Sequence, residues 1–244
     1  MKTLYRHIHI AVLAGFIGLW SPISPAYASP ATHVGWAEIL VANLSPDKND
    51  YASSPTYIYW AGINGASSYE NRTQCSSFVT RVLKQAYSWS DTDFRAWFGS
   101  NSPTAARYHD AIAVQNGFGL IRKIGDIKSG DIIAIKYSDD STSTGHAMIV
   151  KSPATKRTRT LPLVNGTLQY EIEVIDSSKS GHGKSDTRLM EDGSWDQGAG
   201  IGKLRLYANS NGIVIGYSWS TAKNSVYYGQ QSSRHLVIGR LVQG

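Results

Sequence analysis

The sequence predicts an α+β domain: N-terminal helices, one with a candidate nucleophile at its N-terminus, packed on an antiparallel β-sheet from the second half of the chain. Two observations carry this. Apolar residues recur with helical period after Cys75, and from residue 118 onward short β-branched runs bounded by turn residues take over. Helices first and strands afterwards is the order of a single α+β domain. The 244 residues alone would permit one or two domains. At 41% hydrophobic and 17% charged, the chain is too apolar for a disordered one.

The first residues read as an export leader. Lys2 and Arg6 precede an apolar run from Ile8 to Trp20, and Ala26-Tyr27-Ala28 follows as a small-x-small ending. The run is shorter than the ~20 residues a membrane helix needs. Cleavage is expected after Ala28, with no stable membrane insertion afterwards and a secreted or periplasmic product. Losing Lys2 and Arg6 lowers the formal charge from +6 to +4. No basic run interleaved with aromatics is present, which argues against nucleic acid as a partner.

Residues 29–54 are expected to be a helical extension, with the helix HVGWAEILVANL packing outside the main unit, and 55–244 the main domain. Residues 45–74, rich in Ser, Pro, Gly, Asn and Tyr, read as ordered loop. Then comes the clearest helix. From Cys75, Phe78, Val79, Val82, Leu83 and Ala86 form one apolar stripe, and Thr73 is the expected N-cap. Further helices are expected in DTDFRAWF and PTAARYHDAIAVQ. Strands are expected at Ile132–Ile135, Ala147–Val150 and Tyr170–Asp176, and near 202–207, 212–218 and 235–241.

Cys75 is the sole cysteine, so no internal disulfide forms. A thiol in the first turn of a helix meets partial positive charge and free N–H groups, which favour the thiolate and can hold an oxyanion. His146 opens a strand whose alternate residues, Met148 and Val150, are apolar, so its ring should face a packed side and serve as proton acceptor. Ile172 and Val174 share a face with Asp176, and a carboxylate on an apolar face needs a partner. His146 is the expected one.

These blocks resemble the NlpC-type cell-wall peptidases, relatives of papain. Gln74-Cys75-Ser76-Ser77-Phe78-Val79 is similar to their D-C-S-x-[FL]-V signature. Ile127-Lys128-Ser129-Gly130-Asp131-Ile132-Ile133 is similar to L-x-P-G-D-L-V, and Gly145-His146-Ala147-Met148-Ile149-Val150 to G-H-V-G-I-Y. The resemblance covers residues 55 to 178, and HLVIGRL looks like the closing strand. It implies a papain-like fold and hydrolysis of peptide or amide bonds in peptidoglycan. Cys75 would be the nucleophile, His146 the base and Asp176 the third member. The family's tyrosine near the oxyanion site has two candidates, Tyr57 and Tyr59.

Two departures bear on the site. Gln74 replaces the usual Asp beside the nucleophile, and His182 in the loop SGHGKSD rivals Asp176 for the third place. The loop 177–200 is expected to flank the cleft or to be a solvated excursion. Trp60, Trp195 and Trp219 could line a glycan groove, with core packing the stronger expectation. The expected substrates are peptidoglycan stem peptides or a related amide. The alternatives are a catalytically silent wall-binding module on the same fold, an acyltransferase, or a secreted effector. No metal is expected, because His33, His109, His146, His182 and His235 form no ligand pair of the H-x-x-x-H kind. No cofactor motif is present.

Overall fold

The computed structural model describes residues 30, 32–139 and 142–242; the expected leader over 1–28 lies outside them. Four helices pack on one side of a curled antiparallel sheet. Helix α1 (His33–Asn43) comes first. A small sheet of β1 (Asn49–Asp50), β3 (Glu70–Arg72) and β2 (Tyr57–Tyr59), in that order, leads into α2 (Cys75–Tyr87). Helices α3 (Asp91–Phe98) and α4 (Ala105–Ala113) follow, each capped by a hydroxyl, Ser90 and Thr104.

The main sheet uses β4 (Phe118–Ile121), β5 (Ile132–Tyr137), β6 (Gly145–Val150), β8 (Thr167–Ser178), β9 (Gly198–Asn209), β10 (Val214–Ser218), β11 (Tyr227–Gly229) and β12 (Arg234–Leu241). Their order is β11-β10-β9-β8-β6-β5-β12-β4, with the short β7 (Thr155–Lys156) on β8. The sheet curls far enough that Lys123, past β4, bridges Ile213, just before β10. The Val214 N–H reaches the Arg122 carbonyl at 2.9 Å across this seam.

Strand alternation splits the apolar residues into two cores. One set, Ile132, Ala134, Ala147, Ile149 and Ile175, packs with Phe78, Val79, Val82 and Leu83 of α2. The other set, Ile133, Ile135, Met148, Val150, Ile172, Val174, Leu204 and Leu206, fills the inside of the curl.

Two expectations change here. Helix α1 does not sit outside: Val34, Trp36, Ala37 and Leu40 belong to the helix-side core, and the Trp60 indole donates to the Trp36 carbonyl at 3.0 Å. Its His33 Nε2 lies 2.8 Å from the Gly130 carbonyl, pinning the helix to the turn before β5. Helix α1 therefore packs as part of the helix-side core and not apart from it. The α2 N-cap is Gln74 and not Thr73, which puts Cys75 at the first helical position. The Gln74 N–H donates to Ser77 Oγ at 2.9 Å, and that hydroxyl donates back to the Gln74 carbonyl at 3.0 Å.

Candidate active site

Three elements converge on the Cys75 thiol. Helix α2 presents it from its first turn, 6% exposed, with Sγ 3.9 Å from the carbonyl of Gly145. Gly145 begins β6 at φ +140°, and a Cβ there would run into the Ile135 carbonyl, so glycine lets the strand start this close to its neighbour. The next residue, His146, sets its ring beside the thiol, close enough that each group shifts the other's ionisation. Burial pushes the Cys75 thiol up, but the His146 charge and hydrogen bond, with the N–H groups of Ala147 and Ser76, outweigh it and bring the thiol below its ordinary value.

The second convergence is on Asp176, near the end of β8 and fully buried. Its Oδ2 lies 2.6 Å from His146 Nε2. With Nε2 engaged there, Nδ1 is the ring nitrogen left to exchange a proton with the thiol. Burial drives His146 toward the neutral form, yet the Cys75 thiolate and the Asp176 carboxylate raise it to about 9. Burial also opposes ionisation of Asp176, but Arg188, His182 and His146 hold it well below the usual carboxylate range. Thiol down and imidazole up are the directions that favour a thiolate–imidazolium pair. His146 and Asp176 thus occupy the strand faces their apolar neighbours predict.

The loop between β8 and β9 flanks the cleft at its start, through Ser178, Lys179 and Ser180, and is largely exposed, but three of its polar side chains, His182, Asp186 and Arg188, fold inward. His182 is fully buried, with Nε2 3.0 Å from Asp176 Oδ2 and Nδ1 2.8 Å from the Trp219 carbonyl. Arg188 Nη2 stands 2.9 Å from Asp176 Oδ1, an ionic contact without hydrogen-bond alignment. The same guanidinium grips Asp186 through Nε at 2.9 Å and Nη2 at 2.7 Å. Asp176, and not His182, is therefore the group that meets the His146 ring, and His182 stands behind it.

The remaining expected residues fall elsewhere. Tyr57 and Tyr59 stack on each other at 4.7 Å, and the clefts they line include neither Cys75 nor His146. The tyrosine close to the Cys75 thiol is Tyr51, whose ionisation is linked to that of the thiol. Burial and the neighbouring Cys75 and Asp176 charges keep it protonated, so it remains a donor. Sequence reasoning placed Tyr51 in an extension outside the domain. What fixes it is Asn49, whose side chain donates to the Ala199 carbonyl at 2.9 Å and accepts from Asn71 at 2.9 Å. Gln74 is exposed, and its backbone serves the helix cap. Trp60 is buried in the core, and Trp195, 40% exposed, lies over Gly181. Trp219 packs edge-on to His146 at 4.8 Å and against His182 at 4.2 Å, shielding both rings from water.

At the His146 ring opens a cleft of about 330 Å³ walled by Tyr51, His146, Tyr137, Tyr217, Trp219 and Tyr228. A larger cleft of about 640 Å³ near Tyr59 and Arg81 is lined by neither Cys75 nor His146. Ligand atoms of His146, Asp176 and His182 lie within 4.8 Å of one another, a spacing a metal ion would accept. The residues fit one poorly. Both Nε2 atoms already meet the carboxylate, and the Arg188 guanidinium stands 2.9 Å from it, so a cation would face a fixed positive charge.

Fold and site together define an α+β protein with a buried Cys–His–Asp constellation at the junction of a helix start and a curled sheet. The chain is 38% identical over 181 residues to the uncharacterized protein R653 of Acanthamoeba polyphaga mimivirus, across 71% of this chain and 79% of the viral one. It belongs to the family of that protein. No family model matches the chain, and no solved structure matches it.

Proposed function

We propose that this protein is an exported, papain-like cysteine hydrolase that cleaves peptide or amide bonds in peptidoglycan. The observation that carries the chemistry is the pairing of Cys75, at the first turn of α2, with a His146 ring whose far nitrogen is 2.6 Å from Asp176. The wall as substrate rests on the resemblance to NlpC-type peptidases and on the mild positive charge, which favours an anionic polymer.

The residues supply each step. The Cys75 thiolate attacks the carbonyl carbon, and the electron pair of the C=O bond moves onto oxygen. The Tyr51 hydroxyl and the Cys75 N–H are the donors available to that oxyanion. Protonated His146 gives its proton to the leaving nitrogen as the C–N bond breaks, leaving a thioester on Sγ. Neutral His146 then takes a proton from water. The resulting hydroxide attacks the thioester, freeing the acid and restoring the thiolate. Asp176 holds the imidazole in one orientation throughout.

Incubating the purified protein with intact wall sacculi and weighing the released fragments by mass spectrometry tests this. New amine and carboxyl ends are expected from the native protein and none from Cys75→Ala, whose fold should persist. Full activity in Cys75→Ala would overturn the mechanism. Sacculus binding without release by the native protein would make it a wall-binding module.

A further inference from the structure

We propose that His182 is a positioning residue of this site: it carries a proton on both ring nitrogens and, with Arg188, holds the Asp176 carboxylate ionised and aimed at His146. The inference rests on Cys75 and His146 being the reacting pair. Nδ1 of His182 faces the Trp219 carbonyl at 2.8 Å, and Nε2 faces Asp176 Oδ2 at 3.0 Å. Both oxygens only accept, so both nitrogens donate and the ring is a cation.

Charge balance requires the same. Asp176, Asp186 and a Cys75 thiolate are three negative groups, against which Arg188 and protonated His146 supply two positive ones. All are buried, where a surplus charge is costly. A charged His182 makes the sum zero. The groups facing it are Asp176 from β8, His146 from β6, and Asp186 and Arg188 from its own loop. Trp219 and, from β9, Gly202 add no charge.

The backbone is shaped for this arrangement. On β9, a Cβ at Gly202 would lie 2.7 Å from the His182 side chain, and one at Gly200 would lie 2.7 Å from Arg188 Nε. Residues two apart share a strand face, so these glycines clear one side of β9 for the loop. The loop is thereby part of the catalytic apparatus, acting through Asp176 without touching substrate.

The test is the pH dependence of Cys75 alkylation by iodoacetamide, which reports the thiolate and is blind to which bond is cut. His182→Gln is expected to move the acid limb toward an ordinary thiol by about one unit, about tenfold in rate. Asp176→Asn should do the same, and the double variant should be no slower than Asp176→Asn alone, since His182 acts through Asp176. Wild-type behaviour of His182→Gln, or a further loss in the double variant, would overturn the proposal. Should His182→Gln not fold, nitrogen-15 NMR of the histidine-labelled native protein decides: two protonated ring nitrogens on His182 support the proposal, and one contradicts it. Failure to cut sacculi with this coupling intact would remove the substrate reading and leave the role of His182 standing.

Discussion

On one face of β6 and β8, Ala147, Ile149 and Ile175 meet the helices in a dry apolar core. On the other, Met148, Val150, Ile172 and Val174 fill the curl, and at one end they give way to His146 and Asp176. Both regions are buried to a similar degree, yet they hold together differently. The helix side gains from removing apolar area from water, roughly 25 cal/mol per Å². The charged end gains little net stability, because desolvation of Asp176, Asp186, Arg188 and His182 offsets their mutual attraction. An assembly so costly to bury is accounted for by what it does to the thiol. The helix-side core stabilises; on the proposed reading, the charged end tunes the Cys75 thiol.

That contrast can be broken from either side. The largest effect is expected at Arg188, which is 2% exposed and serves Asp186 and Asp176 at once. Arg188→Met leaves both carboxylates buried without their guanidinium and should cost about 3–5 kcal/mol in urea unfolding. It should also slow Cys75 alkylation below neutral pH. On the helix side, Ile149→Val removes one methylene from close packing and should cost about 0.5–1.5 kcal/mol while leaving the alkylation profile unchanged. A changed profile in Ile149→Val would mean that the two regions are not separable.

What the sequence made legible follows the same division. The stripe from Cys75 to Ala86 marked α2, and period-two alternation put His146 and Asp176 on the face they occupy, because apolar neighbours dictate side-chain direction locally. The loop was not legible. Ser180-Gly181-His182-Gly183-Lys184-Ser185-Asp186 reads as a solvated run, and what turns His182, Asp186 and Arg188 inward is their pairing with one another and with Asp176 and the Trp219 carbonyl. The available signal was on the receiving strand, where Gly198, Gly200 and Gly202 alternate and leave one face without side chains. Helix α1 carried its own signal, since a helix apolar nearly all round belongs in a core. Placing it outside also hid Tyr51, which its Asn49-anchored segment delivers to the thiol.

The pH behaviour of the pair follows from the directions of its two shifts. Cys75 is ionised from below the ordinary thiol value of ~8.5, and His146 stays protonated up to about 9. His146 is raised above its ordinary 6.5, so its contribution to stability is fully present below that value and is lost as pH rises through about 9. Titrating the thiolate absorbance of the sole cysteine in the native protein against pH tests the central claim most directly. The account predicts a midpoint well below ~8.5 that returns toward it in His146→Ala. A midpoint at or above the ordinary value, unchanged by His146→Ala, would contradict it.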